Sequence, residues 1–137
     1  MMHTLIPAAN IQWENFQMSQ IDTCVSIVPY FRIHAGKIGE FKQICEKFVA
    51  RTSSEAGCLY YGFCFDGDLA FCREAYADGA AALAHIEHVG DIIQEALQIS
   101  NLERFEIHGH EAELAIMRAP LAGLNPLWLS WELGFRR

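Results

Sequence analysis

His85 has the residue type and the position of a candidate catalytic base. It lies in a segment whose apolar residues recur at helical spacing, three residues after Ala82 and four before Val89. A neutral imidazole beside an apolar helix face can accept a proton near neutral pH, or bind a metal or haem. The alternative is a boundary histidine bonded to a backbone carbonyl. On the same helical wheel His88 points away from the apolar face, so we expect it in solvent.

Aromatic side chains on predicted strands could hold a flat hydrophobic ligand near His85. Tyr61, Phe63 and Tyr76 are the substrate-binding candidates of this kind. Trp128, on a later strand, would line the mouth of the same pocket or contact a partner subunit. Aromatic residues on strands also form ordinary cores, and this alternative stays open.

Arg73 and Glu74 are adjacent on a predicted strand, so their side chains face opposite sides of the sheet. One of them must therefore lie on a largely apolar face. A carboxylate there would have a raised pKa or an ionic partner. The simplest interpretation is a structural ion pair between Glu74 and Arg32, and the alternative is that Glu74 contacts the substrate.

The sequence offers little support for a metal or cofactor. His108 and His110 share a strand face, with Glu111 and Glu113 just after them, but no further ligand stands at a diagnostic spacing. The five cysteines include no Cys-x-x-Cys pair, and no glycine-rich phosphate loop, dinucleotide fingerprint or Gly-x-Ser-x-Gly motif occurs. We predict no metal and no cofactor.

Composition narrows the class of protein. The 137 residues are 52% hydrophobic and carry a net charge of −7, which allows a well-buried core and argues against nucleic acid or an anionic membrane as partner. No apolar run is long enough to span a membrane, and the first residues do not resemble a signal peptide. We therefore expect a cytoplasmic protein with reduced cysteines.

Hydrophobic periodicity predicts the elements that must position these residues. Residues 1–22 are expected to form an N-terminal arm. A domain over residues 23–110 would contain strands at 23–33, 58–65, 69–76 and 101–110, with helices at 37–53 and 79–97, the second capped by Asp78 and broken near Gly90. Pro29 within the first strand implies a bulge or a local edge. The order βαββαβ is typical of the ferredoxin-like α+β fold.

Residues 111–137 are predicted to extend this domain by a helix at 111–117 and an alternating strand at 127–135. Both faces of the sheet look apolar, and one helical layer covers only one of them. The simplest remedy is a homodimer whose two sheets pack face to face. The alternative is that the extension folds back over the exposed face.

Three segments of the domain resemble a known family. They are Ile33-His34-Ala35-Gly36-Lys37 leading into Phe41, then Glu55-Ala56-Gly57-Cys58-Leu59-Tyr60-Tyr61, and Glu74-Ala75-Tyr76-Ala77-Asp78 followed by His85. In their order and spacing they are similar to the antibiotic biosynthesis monooxygenase-like domains of the dimeric α+β barrel superfamily. The resemblance implies a ferredoxin-like protomer, a homodimer, and a small pocket between helices and sheet.

Members of this group include cofactor-independent oxygenases, haem-degrading enzymes and small-molecule isomerases. The haem-degrading members carry an asparagine on the first strand, and none occurs between Cys24 and Arg32. The resemblance therefore implies a cofactor-independent monooxygenase that acts on a small hydrophobic aromatic or enolic molecule, with His85 as base. The alternative is a non-catalytic, ligand-binding or stress-responsive dimer, so whether the protein is an enzyme stays open from sequence alone.

Overall fold

A computed structural model describes residues 22–137, and the predicted arm lies almost entirely outside this range. The helices and strands follow one another along the chain as β1 (Val25–Ile33), α1 (Ile38–Thr52), β2 (Cys58–Asp66), β3 (Leu69–Tyr76), α2 (Gly79–His88), α3 (Gly90–Leu97), β4 (Ser100–Gly109), α4 (Glu111–Leu121) and β5 (Leu127–Ser130).

The five strands form one sheet in the order β2-β3-β1-β4-β5. The pairs β2–β3, β3–β1 and β1–β4 are antiparallel, and β5 joins the edge of β4 in parallel. The first four strands and the helices between them form the predicted ferredoxin-like α+β fold. β1 lies at the centre of the sheet, which fits its two apolar faces.

Pro29 lies within the central strand β1, and the strand accommodates it by a bulge. The register between β1 and β4 shifts between Tyr30 and Phe31, directly after the proline. A proline has no N–H to donate to a neighbouring strand, so an irregular ladder at this point is expected. The sequence predicted a bulge or a local edge at Pro29, and the structure contains the bulge.

Local sequence signals set the two helices that matter for the site. The side chain of Asp78 accepts a hydrogen bond of 2.8 Å from the backbone N–H of Ala81, as predicted for the N-cap of α2. The predicted break falls at Val89, which ends α2 and precedes α3. Because of this break, His85 lies in the last turn of a short helix packed against the sheet.

The buried core divides into two clusters on the helical side of the sheet. One is centred on α1 and α3 and includes Phe41, Phe48 and Ile92. The other is centred on α2 and α4 and includes Tyr76 and Leu114. Burial of this apolar surface is the main term that stabilises the fold, and the region where the two clusters meet contains the candidate site.

The C-terminal extension departs from its predicted boundaries. α4 continues to Leu121, through Pro120, and β5 ends at Ser130 rather than at residue 135. Ser130 pairs with Gly109, the last residue of β4, so no further strand is available for pairing. The alternating pattern after Ser130 is therefore not a strand, and Leu133 and Phe135 are 86% and 71% exposed.

The side of the sheet away from the helices is partly apolar and partly covered. The residues after Ser130 fold back over part of it, where Arg136 pairs with Asp22 and Phe135 lines a recess together with Tyr60. β5 adds to its edge but does not cover it, because Leu127 and Leu129 pair with the outward-facing Glu106 and His108. Both leucines are about half-exposed, as is Tyr60 on β2. Within residues 22–137 no helix has the length and apolar character needed to cross a membrane.

Candidate active site

A cavity of about 70 Å³ lies between the sheet and the helices where the two core clusters meet. Its polar lining consists of Tyr61, Cys72, Glu74 and His85, and the rest is apolar side chains from β1, β2, β4, α1, α2, α3 and the turn before β5. This volume holds a few water-sized groups, since a water occupies about 30 Å³ of liquid.

Glu74 reaches the cavity because alternate residues of β3 face the helices. Cys72 and Glu74 point inwards into the cavity lining, and Arg73 is exposed on the opposite face. The expected ion pair between Glu74 and Arg32 is wrong. The parity of β1 places Arg32 on the outer face, where it binds Asp68 at 2.7 Å and Glu103 at 3.0 Å.

The Glu74 carboxyl is held in an apolar environment with one close donor. Only 5% of the residue is exposed, and burial raises the pKa of this carboxyl from 4.5 to about 7. The Tyr76 hydroxyl donates a hydrogen bond of 2.6 Å to Glu74 Oε1, which opposes part of that rise by stabilising the charged form. At neutral pH the group is therefore divided between its acid and its carboxylate forms.

His85 lies beside Glu74 and is oriented by a second carboxylate. Its Nε2 atom is 3.5 Å from Glu74 Oε1, and its Nδ1 atom is 3.0 Å from both carboxylate oxygens of Glu55. Burial lowers the pKa of His85, and the hydrogen bond to Glu55 opposes this. The ring is therefore neutral near pH 7, with its proton on Nδ1 towards Glu55 and its Nε2 lone pair facing Glu74.

This arrangement places a proton donor and a proton acceptor at the same point of the cavity wall. In its acid form Glu74 can protonate a developing oxyanion, and in its carboxylate form it can accept a proton. The neutral ring of His85 can accept one, and Glu55 would then stabilise the imidazolium that forms. Two titratable groups in different environments are typical of acid–base sites.

The other predicted site residues are distributed as follows. Tyr61 and Phe63 line the cavity, with the Tyr61 ring 5.3 Å from that of His85. Tyr76 lies behind Glu74 and supports it from the core. Trp128 does not belong to the cavity lining found within residues 22–137. It packs on the α2–α4 cluster, under the Arg118 guanidinium.

Sequence reasoning missed Glu55 and Cys72. Glu55 was noted only as the first residue of a segment that resembles the family, without a role of its own, and its contact with His85 spans 30 residues. Cys72 shares its strand parity with Glu74, and that parity is the signal that indicates an inward position. His88 is largely exposed as expected, but its Nδ1 atom is 2.8 Å from Glu55 Oε2, a contact the helical wheel does not reveal.

The histidines near the end of β4 do not converge. His108 Nε2 is 2.7 Å from Glu106 Oε1, and the His110 ring packs on Trp131 at 4.9 Å. In the described part of the chain, no group of three or more His, Cys, Asp or Glu side chains is arranged to hold a metal ion.

Comparison with family models and comparison with curated proteins each returned no match. Solved structures do match. MupZ from Pseudomonas fluorescens has 37% sequence identity and a TM-score of 0.82, and the match covers 85% of this chain and 91% of MupZ.

More distant structures share the fold. A candidate antibiotic biosynthesis monooxygenase from Caulobacter crescentus has 16% identity and a TM-score of 0.56, covering 68% of this chain and 92% of its own. SnoaB, a cofactor-independent oxygenase from Streptomyces nogalater, has 14% identity and a TM-score of 0.53, with coverages of 62% and 88%. The chain therefore belongs to the same family as MupZ, and it shares its fold with these antibiotic biosynthesis monooxygenase-like structures.

Proposed function

We propose that this protein is an enzyme that transfers protons to and from a hydrophobic small molecule at the Glu74–His85 pair. The observation that carries the proposal is a buried carboxyl and a buried imidazole 3.5 Å apart at the wall of an apolar cavity. Buried ionisable groups cost folding free energy, so their presence in a cleft favours a catalytic role over a structural one.

The substrate class follows from the cavity wall. Apolar side chains dominate it, and its polar groups converge at one end, so the substrate is a largely apolar molecule with one polar, ionisable group. An enol or a phenol meets this description. The Nε2 atom of His85 removes its proton, and Glu55 stabilises the resulting imidazolium through Nδ1.

Oxygenation is the first form of this reaction that we propose. An electron-rich enolate transfers an electron to dioxygen, and recombination forms a carbon–oxygen bond to a peroxide anion. The His85 imidazolium returns its proton to that anion, which gives a hydroperoxide and neutral His85. The base then removes the proton from that carbon, the O–O bond breaks, and the acid form of Glu74 protonates the departing hydroxide to water. One dioxygen and two substrate hydrogens thus give one carbonyl oxygen and one water. The shared fold with a cofactor-independent oxygenase supports this form.

A second candidate is a non-oxidative proton shift, in which one group donates while the other accepts. The distance of 3.5 Å between Glu74 and His85 favours it, because both groups can address neighbouring atoms of one substrate. The alternative to both reactions is a non-catalytic role, in which the protein only binds a ligand. Titratable groups in the cavity favour an enzyme over that role.

One experiment separates these possibilities. A panel of phenols and enolisable ketones is incubated in heavy water under air and under nitrogen, with oxygen uptake and deuterium incorporation both measured. Oxygenation predicts oxygen uptake, whereas a proton shift predicts deuterium incorporation that is independent of oxygen. His85→Gln is expected to lower either rate about 100-fold or more, and Glu87→Gln, an exposed change on the same helix, leaves it unchanged. Equal rates in wild type and His85→Gln would exclude His85 from the mechanism.

We further propose that two copies associate through the outer face of the sheet. Tyr60, Leu127 and Leu129 are each about half-exposed on that face, which the C-terminal residues cover only in part. Exposed apolar patches of this kind mark interfaces. The family fold supports the same arrangement.

A further inference from the structure

A continuous row of titratable groups leads from the buried carboxyl to the surface. Glu74 Oε1 is 3.5 Å from His85 Nε2, and His85 Nδ1 is 3.0 Å from both oxygens of Glu55. Glu55 Oε2 is in turn 2.8 Å from His88 Nδ1. No apolar side chain interrupts this row.

Exposure increases along the row. The side chains of Glu74 and His85 are each 4% exposed, that of Glu55 is 14% exposed, and that of His88 is 41% exposed. The last two also line a surface recess of about 250 Å³, formed with Gly57 and small side chains of α2. Solvent therefore has access to the outer end of the row, while the inner end lies in the core.

We propose that Glu55 and His88 form a proton relay that connects the Glu74–His85 pair to solvent. This inference rests on the proposed acid–base function and adds a route for the proton. A buried pair that exchanges protons with a substrate must also exchange them with water, and a hydrophobic substrate that fills the apolar cavity blocks that exchange from the cavity side. The relay supplies the exchange while the cavity is occupied.

The transfer starts once His88 has exchanged its Nδ1 proton with solvent for one on Nε2, and from that tautomer it balances at each step. The acid form of Glu74 gives its proton to His85 Nε2, and the proton on Nδ1 moves to Glu55 Oε2. The same oxygen then gives it to His88 Nδ1, and His88 releases its Nε2 proton to water. Glu74 has lost one proton and water has gained one. In a reaction that removes a proton from the substrate and later returns one, a proton first moves outwards along the row to solvent and then inwards from solvent. The second transfer restores the starting tautomers of both histidines.

A purely structural role for His88 makes the opposite prediction. If His88 only held Glu55 in place, its loss would loosen the Glu55–His85 contact, and the Nδ1 proton of His85 would exchange faster with water. If His88 relays the proton, its replacement by an apolar side chain slows that exchange. The direction of the change therefore distinguishes the two roles, and no substrate is needed.

The test is the exchange rate of the His85 Nδ1 proton with water, measured by NMR on protein with ¹⁵N-labelled histidine. We expect His88→Leu and Glu55→Gln each to slow it at least about tenfold, because leucine and a carboxamide cannot pass a proton on. His34→Leu, at an exposed turn, should leave the rate unchanged. A wild-type or faster rate in either relay variant overturns the relay. The proposed function fails separately, if turnover survives His85→Gln.

Discussion

Burial of Glu74 links its protonation to folding. Its pKa is raised to about 7 in the folded protein from an ordinary value of 4.5, so between these pH values the native state binds a proton that the unfolded chain has released. The free energy of unfolding should therefore fall as pH rises from about 4.5 to about 7, and level off above. The expected loss from this group is about 3 kcal/mol.

Glu74→Gln removes this titration while keeping the shape of the side chain. Urea unfolding at pH 5 and pH 8 should show that the variant loses less stability over this range than the wild type. Glu87→Gln, at an exposed position on α2, serves as the matched control and should follow the wild type. An equal pH dependence in wild type and Glu74→Gln would contradict the assignment.

The Tyr76 hydroxyl is the close donor that stabilises the Glu74 carboxylate. Tyr76→Phe leaves that carboxyl without its 2.6 Å hydrogen bond, so the pKa of Glu74 should rise further. At pH 8 Glu74 is mainly in its carboxylate form. We therefore expect Tyr76→Phe to lower the free energy of unfolding, measured with urea, by about 1–3 kcal/mol. Tyr30→Phe, on the outer face of the sheet, provides the comparison. A smaller loss in Tyr76→Phe than in Tyr30→Phe would refute this role.

Residue types and their spacing indicated most of the residues that line or adjoin the cavity. Strand parity and helical spacing indicated Glu74, Tyr61 and His85 because each of these signals acts within one element. Glu55 orients His85 from a loop 30 residues earlier in the chain, and no local pattern encodes that contact. The partner assigned to Glu74 was wrong because the parity of β1 places Arg32 on the outer face of the sheet, opposite to Glu74.

The placement of α2, and with it of His85, depends on close contact with α4. A Cβ atom added at Gly79 would lie 2.7 Å from the Glu113 carbonyl oxygen and 3.1 Å from the Ile116 side chain. Gly79→Ala must therefore push the two helices apart, at a cost of about 1–3 kcal/mol in urea unfolding. Gly39→Ala on α1 meets nothing within 4 Å and should be neutral or slightly stabilising. A neutral Gly79→Ala would show that this contact is looser than described.

Element order was predictable because each helix and strand carries its own periodicity and its own end signal. Asp78 and the residues around Gly90 fixed the limits of α2, and the structure confirms both. The last strand was the exception. Its alternating pattern continues past Ser130, but β4 ends at Gly109, and a strand without a neighbour has no ladder to join. The length of β5 is therefore set by pairing with β4 and not by the alternating pattern of its own sequence.

At the scale of the whole molecule, the partly covered apolar face of the sheet predicts self-association. Sedimentation should show a dimer at micromolar concentration, and Leu129→Asp should raise its dissociation constant at least about tenfold, because the interface would bury an unpaired charge. Val49→Asp is the matched control, since Val49 on α1 is also 45% exposed but faces away from the sheet. A monomeric wild type would contradict the proposed dimer.

The account as a whole depends on a buried, titratable carboxyl at Glu74 beside His85 in an apolar cavity, and the direct test is titration of the Glu74 side-chain carboxyl by ¹³C NMR. This measurement requires no substrate. The structure predicts a midpoint near pH 7, which should rise further in Tyr76→Phe because the Tyr76 hydroxyl stabilises the carboxylate. A midpoint at the ordinary glutamic acid value of 4.5, unaffected by Tyr76→Phe, would contradict the acid–base site.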